Sequence, residues 1–450
     1  MSLHQLTATA AAKAIRAGTL TPTDLIEALI ARIDDLDAKV QSFAYVDKTG
    51  ARRRAEQLEK EARQGYFRGA LHGVPFAAKD IIYSAGVPTE AGSKLYRNFI
   101  PTFDATVIAK LKTAGAILLG KAHTTELANS DPAPTCNPWN LTHTPGGSSS
   151  GSAAAVSAGM VPVSLGTQTG GSNLRPASFC GIAGLKPSYG RVSLYGVMPL
   201  AWSLDHVGFM ARCVSDLALM LQATAGFDPA DPTSSREPVN DYVTRSASRR
   251  PRIGVLREFF YDEAAADTVH VTNAALEKLV KSGAHVTDVS LPQSFAAIHA
   301  AHFLVEHTEI ADAHADAYAT RASLYKPTMR ESIEVGSLIP GDHYARAHRI
   351  RHRFRRAMVE ILKPFDVLAT PTTIRGAPAG LLSIGSWEFQ SPWSACGLPS
   401  LTLPSGLSSD GLPLGLQLVA APFQEAPLLS AGVWCESVLG MLGIPPQFQG

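Results

Sequence analysis

The stretch "GSAAAVSAGMVPVSLGTQTGGSNLRPASFCGIAGLKPS", Gly151–Ser188, changes character again and again within a short length of chain. "GSAAAVSAG" (Gly151–Gly159) is predicted helical, with small side chains that permit close packing. "VPVSLG" (Val161–Gly166) reads as a short apolar strand. A helix start is expected after Ser172, and "GIAGLKPS" (Gly181–Ser188) reads as another strand. Short strands that alternate with helices cannot bury themselves alone. They predict an α/β fold in which a central sheet is covered on both faces.

The same rhythm continues on both sides. "GVPFAAKDII" (Gly73–Ile82) is an apolar strand carrying one lysine, Lys79, and "DATVIAKLKTAGAILLGKAH" (Asp104–His123) reads as helix, glycine break and buried strand. "SDLALMLQATAG" (Ser215–Gly226) is an apolar helix, followed by a polar, Pro-rich linker, "DPADPTSSREP" (Asp228–Pro238). "RIGVL", "TNAALEKLVKSG" and "HVTDVSL" read as strand, helix and strand, and residues 299–363 as mostly helical. "FDVLATPT", "PSLTLPSG" and "PLGLQLVAAP" return as core strands. The first 65 residues are expected to be helical, from "TPTDLIEALIARIDDLDAKV" and "TGARRRAEQLEKEARQG".

Composition narrows the function classes. Lys+Arg is 40 and Asp+Glu is 39, so the formal charge of +1 offers no general attraction to nucleic acid. The one basic run, "HRIRHRFRR" (His348–Arg356), has Ile350, Phe354, Met358 and Ile361 at helical spacing and reads as a helix with a solvated basic face. The five cysteines are scattered without disulfide or zinc spacing, which fits reduced thiols. Lys13 and Arg16 interrupt the place where a signal peptide needs its apolar segment, and no apolar run is long enough for a membrane span. The expectation is a cytoplasmic protein that binds neither nucleic acid nor membrane.

Several motif matches fail on context. "GSSSG" (Gly147–Gly151) satisfies G-x-S-x-G, but the residues before Ser149 read as a loop where a nucleophile elbow needs a strand. "GAILLGK" has Ala122 where a phosphate loop needs Ser or Thr. His299, His302, Glu306 and His307 lack the His-Glu-x-x-His order and read as a polar helix face or lid. No metal or other cofactor is expected.

What remains is acyl-transfer chemistry, which needs an activated hydroxyl, a proton carrier and donors aimed at an oxyanion. The glycines of "TGGS" let consecutive backbone N–H groups share one concavity. A helix beginning near Ser172 adds positive potential there. No histidine lies nearby, but a lysine kept neutral by burial can take the proton. Lys79, inside an apolar strand, suits that role, and Ser148 can relay between them.

The segment Gly146–Ser193, "GGSSSGSAAAVSAGMVPVSLGTQTGGSNLRPASFCGIAGLKPSYGRVS", closely resembles the signature of the amidase signature family. "LHGVPFAAKDII", "AGVPTEAGS", "NPWN" and "GLPLGLQLVAAPFQEAPLL" extend the resemblance in order along nearly the whole chain. It implies a single domain over residues 1–450, with a mixed twisted sheet and a variable substrate-shaping segment at about 227–363. It also implies a Ser–cis-Ser–Lys triad of Ser172 as nucleophile, Ser148 after a cis peptide bond, and Lys79. The backbone of Thr169, Gly170, Gly171 and Ser172 would form the oxyanion hole. Leu127, Ala128, Asn129 and Gln168 are expected to shape the substrate pocket.

Two positions depart from the family's usual "TDTGGSIR". Gln168 stands where an Asp is usual, and Leu174 where an Arg is usual, with Arg175 one position later. Loss of an acid and a base together avoids stranding a buried charge. The expected function is a stand-alone hydrolase of small-molecule amides, with carbamates, anilides or esters as neighbouring substrates, acting as a monomer or homodimer. The alternative is the glutaminase subunit of a tRNA-dependent amidotransferase, whose signature keeps the Asp and Arg.

Overall fold

The computed structural model describes residues 2–243 and 250–449. Residues 244–249, inside the segment expected to vary, lie outside the described residues. In chain order the strands are β1 (Phe43–Val46), β2 (Pro75–Lys79), β3 (Ile117–Ala122), β4 (Val163–Gln168), β5 (Ala183–Lys186), β6 (His206–Ala211), β7 (Arg252–Leu256), β8 (His285–Val289), β9 (Val367–Pro371), β10 (Ser400–Leu407) and β11 (Pro413–Val419). They form one 11-stranded sheet in the order β1-β3-β2-β4-β6-β5-β10-β11-β9-β7-β8. The sheet is mixed: β2 runs parallel to β3 and β4, and β7 to β8 and β9, while β4–β6, β5–β6, β5–β10, β10–β11, β9–β11 and β1–β3 are antiparallel.

Burial on both faces explains the near-continuous apolar strands. Phe76 and Ala78 of β2 join one core, with Leu217 and Leu221 of the helix Val214–Thr224 and Leu428 of the helix Glu425–Leu439. Ala77, between them in sequence, points the other way. It joins Leu29 and Ile33 of the helix Pro22–Val40 and Ala153–Val156 of the helix Ser150–Ser157. The two-residue period of a strand thus divides one short segment between two helical layers.

Parallel pairing sets the position of the site. Neighbouring parallel strands end on the same edge of a sheet, and the chain leaving their C-terminal ends borders a crevice there. Ala78 pairs with Leu165, so Lys79 at the end of β2 lies beside the end of β4, from which Thr169–Ser172 emerge. β3 ends on the same edge and leads to the turn Glu126–Ala128.

Three elements differ from the sequence reading. Residues 43–46, inside the part expected to be helical, form the edge strand β1 against β3. β6 and the helix Glu425–Leu439 were not anticipated. The Pro-rich Asp228–Pro238 segment is tied down by its own acids: Asp228 accepts hydrogen bonds from Thr106 and Ser193, and both Asp228 and Asp231 are buried.

Gly166 of β4 and Gly208 of β6 face each other and leave a slot for the Asn173 side chain, whose Nδ2 donates to the carbonyls of Leu185 and Phe209. A Cβ on Gly208 would lie 2.5 Å from Asn173 Cγ. Gly208→Ala should therefore lower stability by about 1–3 kcal/mol, read as a fall in the thermal midpoint by calorimetry, because the added methyl collides with the buried, hydrogen-bonded Asn173 side chain.

Candidate active site

The turn Gly146–Ser149 and the turn Thr169–Ser172 lie against each other, joined where Ser149 N–H donates to the Ser172 carbonyl at 3.2 Å. The Gly147–Ser148 peptide bond is cis. Lys79 is fully buried, and its Nζ donates to Ser148 Oγ at 2.6 Å and to Thr167 Oγ1 at 2.8 Å. Burial pushes the Lys79 pKa well below the ordinary lysine range, and the Arg175 charge pushes the same way, against a pull from Asp205. A neutral amine held against a hydroxyl is a proton acceptor. Ser148 does not hydrogen-bond to Ser172 here, and among the described residues the Ser172 hydroxyl has no hydrogen-bond partner. Ser172 lines a cavity of about 260 Å³ together with Gly170 and Gly171.

The backbone of the second turn is fixed from behind. Ser394 Oγ donates to the Gly170 carbonyl at 2.8 Å, and Thr169 Oγ1 donates to Asp205 at 2.6 Å. Gly171 permits a close approach, since a Cβ there would sit 2.4 Å from Gln390 Oε1. The helix that follows runs over Leu174–Phe179, beginning two residues after Ser172.

Of the four residues expected to shape the pocket, Ala128 and Asn129 line the cavity. The other two do not. Leu127 sits in the apolar core, in a segment where both Leu127 (φ 50°) and Ala128 (φ 65°) take the left-handed conformation. Gln168 is completely buried behind the site. Its Oε1 accepts from the N–H groups of Asn173 (3.0 Å) and Leu174 (2.9 Å), and its Nε2 donates to Ser394 Oγ at 3.1 Å. It therefore caps the short helix and holds the serine that holds Gly170. A neutral amide does here what a carboxylate does at a helix N-terminus, without needing a cation.

Arg175 is the strongest feature that the sequence reading left without a role. It is fully buried, and its guanidinium donates to the Gly385 carbonyl at 2.8 Å and to the Gly147 carbonyl, at the cis bond, at 2.5 Å. Burial lowers its pKa to about 9. The far wall comes from the helix Ile298–Arg321 and from Ile384 and Trp387. Glu306, within the segment expected to shape the substrate and read as part of a polar helix face or lid, lines this wall, and burial raises its pKa to about 7. His302 Nε2 lies 3.7 Å from Glu306, but burial takes His302 down to about 3, so the imidazole is neutral and the contact is not an ion pair. Ser149 lies outside the cavity and exchanges hydrogen bonds with the Thr167 backbone, Oγ to carbonyl and N–H to Oγ, both at 3.2 Å. Among the described residues no group of three or more His, Cys, Asp or Glu is arranged to hold a metal ion. No helix among them is long and apolar enough to cross a membrane.

A lysine forced neutral by folding leaves a signature in stability. Between the depressed folded pKa and about 10.4, the unfolded chain binds a proton that the folded chain does not. Stability therefore rises with pH across that window. Wild-type protein should gain stability relative to Lys79→Met as pH rises through it, measured by denaturant titration at several pH values. Gln168→Leu should cost about 1–3 kcal/mol, because two buried N–H groups lose their acceptor.

Residues 24–429 match the family model for Amidase. The chain is 40% identical over 491 residues to a subunit of the glutamyl-tRNA(Gln) amidotransferase of Anaeromyxobacter, covering 99% of this chain and 98% of that one. It is 40% identical over 473 residues to the subunit of the same name from Chloroflexus aurantiacus, covering 96% of each. Among solved structures, the peptide amidase of Stenotrophomonas maltophilia superposes with a TM-score of 0.87 at 30% identity, over 99% of each chain. A protein from a vestigial complex that reveals the evolutionary origins of an s-triazine catabolic enzyme superposes with a TM-score of 0.91 at 31% identity, over 98% of this chain and all of that one. With the sheet, the paired glycine-serine turns and these matches in agreement, the chain belongs to the amidase signature family.

Proposed function

We propose that the protein hydrolyses an amide C–N bond through an acyl-enzyme on Ser172. The observation that supports this most is the 2.6 Å contact of buried Lys79 with Ser148, beside a Ser172 hydroxyl that lines the cavity. Neutral Lys79 takes the Ser148 proton, and Ser148 takes the proton of Ser172 as its Oγ bonds to the substrate carbonyl carbon. Backbone N–H groups of the Thr169–Ser172 turn stabilise the oxyanion. As the C–N bond breaks, Ser148 protonates the leaving nitrogen and is resupplied by the Lys79 ammonium. Water then attacks the ester by the same relay and frees Ser172.

The name shared by the relatives, that of a glutamyl-tRNA(Gln) amidotransferase subunit, supports a glutamine side-chain amide as the substrate, with catalysis inside an assembly of several chains. That support outweighs the expectation of a stand-alone enzyme. Gln168 had set the chain apart from such a subunit, but it caps a helix outside the cavity, so its replacement of an Asp says little about substrate. The stand-alone reading keeps one source of support in the similarity to a peptide amidase and to a 6-aminohexanoate cyclic dimer hydrolase.

Ser172→Ala should lower kcat by roughly 10³-fold or more, and Lys79→Ala by about 10²–10⁴-fold near neutral pH. If Ser172→Ala keeps full turnover, the proposed nucleophile is wrong. In wild type kcat/KM should rise with pH as Lys79 loses its proton, and reach its plateau below the ordinary lysine pKa of about 10.4. Ammonia release from glutamine is measured for the chain alone and with the other subunits of a bacterial amidotransferase, beside aryl amides and carbamates. Glutamine turnover that needs those partners supports the amidotransferase reading. Efficient turnover of neutral amides alone, with none of glutamine in either case, supports the stand-alone one.

A further inference from the structure

The helix Gly341–Leu362 carries the basic run noted in the sequence, and one side of that run is not a solvated face. Its inner side closes a second cavity of about 210 Å³, away from Ser172, against the end of the helix Ser391–Ala395 and the Tyr189 and Trp202 turns. His348, Arg351, His352 and Arg355 line it, and no carboxylate does.

The two guanidiniums are used differently. Arg351 is committed to protein: Nε donates to the Ala395 carbonyl at 2.7 Å, and the two terminal nitrogens donate to Ser203 Oγ (2.9 Å) and the Ser203 carbonyl (2.8 Å). It contributes charge from a fixed place. Arg355, one turn on and half-buried, has no hydrogen-bond or ion-pair partner among the described residues, so its N–H fork is unspent.

No acid reaches these charges from inside the cavity. Of the two acids behind its wall, Glu309 lies 3.8 Å from His348 Nε2 and acts on the Arg351 charge, but neither acid pairs with Arg355. Glu309 accepts from the Ser203 N–H and hydroxyl and from Tyr344, and Asp205 accepts from Thr169, Leu200 and Ala201. The Cys396 thiol on the wall is pushed up to about 11 by burial, so it brings no negative charge. Beneath the floor lies the buried Lys186, whose Nζ donates to the carbonyls of Leu398 and Pro187; burial lowers it to about 7 and His348 to about 4, so the dependable charge is that of the two arginines. Two guanidiniums converging on one small concavity form an anion site, and a free guanidinium fork matches the two oxygens of a carboxylate or phosphate.

We propose that this cavity binds a small oxyanion, carboxylate or phosphate, which Arg355 grips directly and Arg351 attracts through its fixed charge. Trp202, half exposed at the rim, offers an indole face to any planar group attached to a carboxylate.

The test is calorimetric titration of the full chain with inorganic phosphate and, separately, with benzoate, at constant ionic strength. Saturable binding of at least one is expected. Arg355→Ala should weaken it about ten-fold or more, the loss of a charge-assisted contact. Arg356→Ala, which removes the next cation, exposed and outside the cavity, should leave it within about two-fold, since exposed charges are screened. Phosphate preference identifies a phosphate ligand, and benzoate preference an aryl carboxylate. The proposal is overturned if neither anion binds saturably, if Arg355→Ala binds as well as wild type, or if the two variants lose affinity equally. Because the readout is binding at a site separate from Ser172, it stands or fails independently of the hydrolytic reading.

Discussion

An amine buried without a counter-ion is the constraint around which the rest is arranged. Lys79 at the end of β2 is sealed from water, and its Nζ is hydrogen-bonded to two hydroxyl oxygens, Ser148 Oγ and Thr167 Oγ1. Two hydroxyls stabilise a neutral amine by hydrogen bonding without compensating a charge, so the cost of burial falls on the ammonium and lowers its pKa. Asp205 is close enough to pull in the opposite direction, yet its carboxylate is engaged by Thr169 and two backbone N–H groups and is itself pushed up to about 6 by burial. The site therefore keeps its base uncharged by withholding a partner.

Around that amine, the two glycine-serine turns are held by groups that never reach the reacting hydroxyl. Gln168 supports Ser394, Ser394 supports Gly170, and Arg175 grips the carbonyl at the cis peptide bond. The departures of "TQTGGSNLR" from the family pattern become intelligible here. Leu174 is apolar and buried, and the amide oxygen of Gln168 caps two N–H groups with no charge to desolvate. Arg175 places its cation one residue later, where two backbone carbonyls receive it.

Much of this is legible in the sequence. The apolar strands at 75–79, 117–122 and 163–168 stand out because burial on both faces leaves no room for alternation with polar residues. β1 and β6 do not stand out, for the opposite reason. "FAYV" is a half-exposed edge strand, and "HVGFMA" begins with a histidine and carries a glycine whose purpose, making room for Asn173, lies on another strand's loop. Lys79, Ser148 and Ser172 are readable as types of residue in local patterns. Ile384 and Trp387 are not, because they reach the cavity from a segment more than two hundred residues away that carries no local sign of it, and Glu306 is legible only as part of a segment expected to shape the substrate, not as a wall residue.

The sequence by itself determined the family, the alternation of helix and strand, and the presence of two glycine-serine turns and one lysine in an apolar strand. All of these are local features, written within a few residues of each other. Tertiary structure alone decided that parallel pairing of β2 with β4 brings that lysine to the same edge as the second turn, and that Gln168 faces a helix end and not the cavity. It also turned Arg351 and Arg355 inward from a helix that reads as a solvated basic face. The physical reason is the same in each case: a side chain's charge and partners depend on what packs against it, and packing joins residues that the sequence keeps far apart.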